Sequence, residues 1–372
     1  MRAYLDAYAA AYSPYKDGAF CYEDGCLYRG LIVLAEATGD PRWDAHLARL
    51  LGAQVGPDGA LAGYDPDEFN IDNILSGRAL VHLHRKTGDP VWLAAAERLG
   101  DQLARHPRTT TGVYWHKNRY PWQVWLDGLY MGLPFQIELG QATGRPELVT
   151  DALRQLRTAL NLTWRADTRL YVHGYDESRT QAWADPLTGQ SPAHWARAIG
   201  WLAMTLADVA ELIGPDAFEA EGLGTPSRAL AERLAGLATP DGLWLQVIDM
   251  PDLPGNYAES SASAMFAYAL ARLDRIGIAP GAATAATRAF DALAALVTVE
   301  ACAGRGAALP FVCHVAGLGG YDGHYRDGTP AYYTTEDIVR DDVKGVGPLL
   351  MAAGEQAMIA GGAATAPLRS AG

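Results

Sequence analysis

Five times along this chain an apolar helical run ends in glycine and meets proline almost at once: ATGDPRW at 37–43, KTGDPVW at 86–92, ATGRPEL at 142–148, IGPDAF at 213–218 and IGIAP at 276–280. Glycine takes the left-handed conformation that closes a helix, and proline suits the first turn of the next because the N–H it lacks has no partner there. Each place therefore reads as the tight bend of a helical hairpin. The bends recur at intervals of roughly 50–70 residues, the kind of internal period that marks an array of helix pairs.

The 3.6-residue apolar period read outward from these bends predicts twelve helices, near 3–13, 26–38, 41–53, 70–87, 90–105, 125–143, 146–164, 192–213, 225–238, 259–276, 283–299 and 339–359. No strong run of alternating strands competes with them. The expected class is all-α, and six hairpins fit a closed, two-layered toroid, with an open solenoid left as the alternative by periodicity alone. Residues 1–360 read as one domain and GGAATAPLRSAG at 361–372 as a short mobile tail.

The connections are lopsided. Short bends follow the even-numbered helices, whereas segments of roughly 12–40 residues precede them, rich in Trp, Tyr, His and acids. If the array closes, all the long segments and the first turns of the even helices share one mouth. That mouth is the expected site.

The net charge of −13 argues against nucleic acid or an anionic membrane as partner, since both need a basic face; a small anionic ligand needs only local cations. The N-terminal residues lack a continuous apolar core or cleavage site, and no segment offers 18 uncharged apolar residues, so a cytoplasmic protein is expected. Cys21, Cys26, Cys302 and Cys313 have no C-x-x-C pairing or zinc-like spacing and read as buried free thiols. No metalloprotease, Walker, nucleophile-elbow or EF-hand motif appears, and AGLGG at 316–320 lacks the strand before and helix after that a dinucleotide fingerprint needs. Nothing demands a metal or cofactor.

The densest chemistry lies in Tyr171 to Val209, where a polar loop bearing His173 and Asp176 runs into an apolar helix through Trp195, Arg197 and Trp201. Asp72 in EFNIDNILSG and Asp127 in WQVWLDGLYMG each fall in the first turn of an even helix and so should face the same mouth. Paired carboxylates are the minimal equipment for acid/base work on sugars, and repulsion between close ones would keep one protonated; alternatively each is only a cap. His116, Lys117, His173 and Arg197 bring donors to the same end, enough to hold a carboxylate. Trp115, Trp122, Trp125, Trp183, Trp195 and Trp201 gather there too, as flat faces for sugar rings or as packing for the top of the core. Gln246, Asp249, Tyr257, Glu259 and Ser261, and later His314, Gly319, Gly320, Tyr332, Tyr333 and Lys344, also lie before or near the start of even helices.

Taken together, NIDN, WLDGLYMGLPF, HGYDES…WADPLTGQSPAHWARAIGW, GNYAESSASAMF, AGLGG and DDVKGVGP resemble the unsaturated rhamnogalacturonyl hydrolases, glycoside hydrolase family 105, in order along nearly the whole chain. The resemblance implies an (α/α)6 barrel and removal of a 4,5-unsaturated uronic acid from lyase-generated, anionic oligosaccharides by hydration of the double bond. It implies that Asp127 is the proton donor, that Asp72 stabilises the developing charge, and that His173, Arg197 and Trp201 bind the uronate, with His116 and Lys117 nearby; Trp195, from the same junction, is a further candidate for binding the sugar. Alternatives are an unsaturated glucuronyl hydrolase acting on glycosaminoglycan or ulvan fragments, an inverting glycosidase on the same toroid, and a non-catalytic sugar-binding protein.

Overall fold

The structure is a computed structural model that describes residues 1–304 and 306–361. The helices are α1 (Arg2–Ala11), α2 (Tyr22–Thr38), α3 (Pro41–Gly52), α4 (Gly77–Thr87), α5 (Pro90–Arg105), α6 (Leu126–Thr143) and α7 (Pro146–Thr163). They continue with α8 (Ala196–Ile213), α9 (Pro215–Ala220), α10 (Gly224–Leu237), α11 (Ser260–Arg275), α12 (Ala283–Cys302), α13 (Pro330–Tyr333) and α14 (Val343–Ala360). Six of them, α2, α4, α6, α8, α11 and α14, form an inner ring in which each packs on the next and α14 returns to α2. The outer helices pack on this ring. The toroid is therefore closed, an (α/α)6 barrel, and the open solenoid is excluded.

Three of the five bends form as the sequence predicts. Gly39, Gly88 and Gly144 sit at φ 64°, 71° and 66°, each donating its N–H to the carbonyl of Ala35, His84 or Gly140, and Pro41, Pro90 and Pro146 open the next helix. The other two differ. Pro215 opens the extra short helix α9, and Pro280 lies in a turn before α12, which starts only at Ala283. Of the predicted tail, residues 362–372 lie outside the described residues.

Closure depends on how near α2 and α14 can come. A Cβ on Gly30 would stand 2.7 Å from Leu350 Cβ and 2.8 Å from the Gly347 carbonyl, and one on Gly347 would collide with the Cys26 carbonyl. Glycine at both positions lets the two backbones touch.

Below the mouth, the inner helices are tied by buried charges. Asp208 of α8 accepts from Arg78 Nη1 of α4 at 2.5 Å, from Arg272 Nη1 of α11 at 3.0 Å, and from the Tyr268 hydroxyl; Arg29 Nη2 of α2 lies 3.5 Å away. Arg78 also donates to Glu138 of α6 at 2.8 Å, and Arg272 to Glu355 of α14 at 2.6 Å. All six inner helices thus enter one network.

Four short antiparallel strand pairs shape the long loops: Gln123–Trp125 with Gly174–Asp176, Trp164–Arg165 with Leu170–Tyr171, Val312–Cys313 with Ile338–Val339, and Gly319–Tyr321 with His324–Arg326. Ladders of two or three residues carry no readable alternation, which is why the sequence does not announce them. A strand does precede AGLGG, contrary to expectation, but its last two glycines open a hairpin strand rather than a helix. Cys21, Cys26 and Cys313 are buried and free as expected, whereas Cys302 is free but exposed at the end of α12.

Burial by itself would raise the Asp208 pKa, but Arg78, Arg29 and Arg272 outweigh it and hold the carboxyl well below the usual range. A folded pKa below the unfolded one means that this stabilisation is complete above the unfolded carboxylate range and is lost as pH falls below about 4. Asp208→Asn strands buried arginine charge, so denaturant titration at neutral pH should show a loss of about 3–5 kcal/mol, with a flatter acid side to its stability profile. Wild-type stability in this variant would mean that the network is not load-sharing.

Candidate active site

One cavity of about 450 Å³ opens at the mouth and is walled by residues from five of the six inner helices or the loops feeding them. Asp72, His116, Lys117, Asp127, Trp195, Arg197 and Trp201 all line it, as expected from sequence. His173 does not. It is fully buried behind the wall, with Nε2 3.2 Å from Asp127 Oδ2 and Nδ1 2.7 Å from the Tyr333 hydroxyl.

Asp127 stands in the first turn of α6, where Trp125 turns from strand to helix and Leu126 N–H donates to the His173 carbonyl at 3.0 Å. Its side chain retains 15% exposure, enough to meet a ligand. Asp72 is placed differently from expectation. It lies in a 3-10 segment, Ile71–Ser76, ahead of α4, capped by Asn70, whose side chain accepts from Asp72 N–H at 3.2 Å. Asn70 here competes with the α-helical bonding pattern, as short amides do at helix starts.

The Asp72 carboxylate faces a cation rather than its fellow acid. Lys117 Nζ lies 2.6 Å from Oδ2, and His116 Nδ1 lies 3.8 Å from Oδ1. Burial pushes the Asp72 pKa up, but the Lys117 charge more than offsets it, and the net shift is downward. The expectation that carboxylate repulsion would decide which acid stays protonated therefore gives way to an ion pair. Asp72 is held ionised.

His116 is stacked on Trp125 at 4.2 Å between ring centroids and 17° between planes, and burial lowers its pKa to about 3, so it is neutral at physiological pH. Arg197, 2% exposed, leans over the Trp195 ring at 5.0 Å while Nη1 donates to the Cys313 carbonyl at 2.5 Å and to Ser261 Oγ at 3.2 Å, and Nη2 to the His314 carbonyl at 3.3 Å. These bonds fix the guanidinium at the cavity wall. Asp72 Oδ1, His116 Nδ1, Asp127 Oδ2 and His173 Nε2 are all buried without an aligned protein partner. Buried polar atoms left so cost about 1–3 kcal/mol each, so four at one place mark a site kept for binding rather than for stability.

The tryptophans divide. Trp125, Trp195 and Trp201 line the cavity, but Trp115 and Trp122 pack on each other at 4.9 Å, and Trp183 belongs to a satellite cluster with Tyr120, Trp125 and Leu318. Among the later candidates, His314 and Lys344 reach the cavity, whereas Glu259 caps α11 and accepts from Cys313 N–H, and Gln246 holds Trp195 Nε1 and the Tyr333 carbonyl. Sequence reasoning missed Tyr15, Lys16, Tyr22 and Glu23 from the segment leading into α2, and Arg119, Tyr321 and Arg326. The even-helix rule that found Asp72 applied equally to residues 12–23, whose Lys and Tyr content was the available signal.

Comparison with known proteins places this barrel among the glycoside hydrolases. The family described as Glycosyl Hydrolase Family 88 matches residues 7–360, and the chain belongs to it. A structure of a C. acetobutylicum glycoside hydrolase from family 105 superposes with a TM-score of 0.84 at 35% identity, over 91% of this chain and 93% of that one, so the family 105 resemblance holds. The protein named unsaturated rhamnogalacturonyl hydrolase YesR, from Bacillus subtilis strain 168, is 29% identical over 260 residues, 68% of this chain and 71% of the relative. Protein Atu3128 of Agrobacterium fabrum strain C58 is 56% identical over 234 residues, 62% of this chain and all of that protein. An unsaturated glucuronyl hydrolase from Bacillus sp. GL1 shares the fold, with a TM-score of 0.64 at 18% identity over 90% of this chain and 85% of that one.

Among the described residues no helix is long and apolar enough to cross a bilayer. Removing the Lys117 charge tests the ion pair directly. In Lys117→Met the Asp72 carboxyl loses its main counter-charge while staying buried, so its titration, followed by carbon-13 NMR of the side-chain carboxyls, should move to higher pH. A titration unmoved by the substitution would show that Lys117 does not set the charge of Asp72.

Proposed function

We propose that this enzyme removes a 4,5-unsaturated galacturonic acid from the non-reducing end of rhamnogalacturonan fragments made by polysaccharide lyases, and so serves pectin breakdown. The observation that carries the reading is the division of labour between two acids on one cavity, Asp72 ion-paired to Lys117 and Asp127 partly open to the ligand space. The name of the Bacillus subtilis relative and the family assignment support the substrate class.

In this mechanism Asp127 gives its proton to carbon 4 of the enol ether. Positive character develops at carbon 5 and the ring oxygen, where the ionised Asp72 stabilises it. The Asp127 carboxylate then takes a proton from a water as its oxygen bonds to carbon 5. The resulting hemiketal opens to a ketone, which leaves a hemiacetal at carbon 1 that releases the next sugar as an alcohol. Arg197 and Lys344, both on the cavity wall, are the cations assigned to the uronate carboxylate, and Trp195 and Trp201 offer ring faces, with His173 acting from behind Asp127. The ligand is a small anionic oligosaccharide, and neither nucleic acid nor membrane enters the reaction. A cytoplasmic setting belongs to the same proposal, in keeping with four free cysteines.

The conjugated double bond absorbs in the ultraviolet and hydration destroys it. Absorbance at the alkene band should fall with an unsaturated galacturonyl-rhamnose disaccharide and remain constant with its saturated counterpart. Asp127→Asn should lower kcat by at least about 10²–10⁴-fold, the usual contribution of a positioned acid/base. Faster turnover of unsaturated glucuronyl disaccharides would move the assignment to the glucuronyl class, and cleavage of the saturated substrate would refute hydration.

A further inference from the structure

Behind Asp127 the buried wall carries a hydrogen-bonded chain that the direct chemistry does not use. His173 is fully buried between Trp195, at 4.9 Å between ring centroids, and Trp125, at 5.2 Å. Its Nδ1 meets the Tyr333 hydroxyl at 2.7 Å, and its Nε2 lies 3.2 Å from Asp127 Oδ2, within reach but off line. Catalytic hydrogen bonds are often slack before substrate binds, so the distance is the informative quantity.

Which nitrogen of His173 carries the proton decides what Asp127 feels. If Nε2 is protonated, it donates toward Oδ2; if Nδ1 is, a lone pair faces Oδ2 instead. The Tyr333 hydroxyl settles the choice. Tyr333 is itself fully buried, and among the described residues His173 Nδ1 is its hydrogen-bond partner, so a hydroxyl that accepted from Nδ1–H would leave its own proton without an acceptor. Donation from Tyr333 to Nδ1 satisfies both groups.

We propose that Tyr333 is a positioning residue that holds His173 as the Nε2–H tautomer, aimed at Asp127 Oδ2, and thereby leaves Oδ1 as the oxygen that carries the transferable proton. Tyr333 is well placed to do so. Its ring stacks on Trp195 at 5.7 Å and 14°, and its carbonyl accepts from Gln246 Nε2 at 3.1 Å, so both ends of the residue are pinned. The charged or titratable groups that bear on its hydroxyl are Tyr332, Asp127, Arg326 and Asp327. A donor fixed on one carboxyl oxygen costs nothing when Asp127 holds its proton on the other, and stabilises the carboxylate formed by proton transfer. The effect is greatest in the transition state and so belongs to kcat.

This inference rests on the proposed role of Asp127, and two measurements keep the two apart. Long-range proton–nitrogen NMR of histidine-labelled wild-type protein needs no substrate. It should show His173 protonated on Nε2 alone, and in Tyr333→Phe it should show protonation of Nδ1 appearing. A wild-type His173 protonated on Nδ1, singly or on both nitrogens, overturns the proposal, as does an unchanged tautomer in the variant. In the absorbance assay Tyr333→Phe should lose about 10- to 100-fold in kcat with KM nearly unchanged, the usual scale for a residue that orients a functional ligand from behind. A rise in KM at constant kcat also overturns it. The predicted tautomer together with no wild-type turnover of any lyase product would instead reject the functional reading while leaving the Tyr333–His173 arrangement intact.

Discussion

Asp208 is the point on which the barrel turns. One carboxylate, fully buried in α8, takes hydrogen bonds from α4 and α11 and lies beside Arg29 of α2, while the arginines it holds reach on to Glu138 of α6 and Glu355 of α14. Apolar packing alone tolerates small slips between neighbouring helices. A shared buried charge does not, because any register that separates the partners leaves an ion in a medium of low dielectric. The network therefore acts less as glue than as a gauge that sets six helices at one height.

That common height is what makes a mouth. Once the inner helices are aligned, the start of α6 brings Asp127, the 3-10 segment before α4 brings Asp72, and the start of α8 brings Trp195 and Arg197 to a single cavity. The seam between α2 and α14, where Gly30 and Gly347 allow backbone contact, joins the first and last parts of the chain, so that Tyr22 and Lys344 line the same space. The loops are then held by their own small ladders, one of which pairs the strand before Asp127 with the strand after His173.

The sequence was most legible where local chemistry decides conformation. Gly39, Gly88 and Gly144 each faced one option, a left-handed close of a helix, and the structure uses it. Asp127 and Arg197 were legible for a related reason, as charges at the starts of otherwise apolar helices. Arg78, near the start of α4, and Asp208, well inside α8, were not singled out, because from sequence alone a buried ion in the barrel interior and a ligand-binding ion at its rim look identical. Asp72 was found but its setting was not, since Lys117 comes from a loop 45 positions later in the chain. His173 was read as touching ligand and instead stands behind the acid, a distinction of one layer of atoms that no periodicity encodes.

What the sequence by itself determined was the list of parts: twelve amphipathic or apolar helices, three of the five bends between them, the end of each hairpin that lines the cavity, and the family. These follow from interactions among residues a few positions apart, which caps, prolines and the 3.6-residue period report directly. Tertiary structure alone decided that the ring closes, that Lys117 rather than a second acid governs Asp72, and that Tyr333 meets His173 from 160 positions away. Those outcomes depend on burial and on pairings across the chain. A charge or a proton takes its meaning from what surrounds it, and the surroundings exist only once the six hairpins have met.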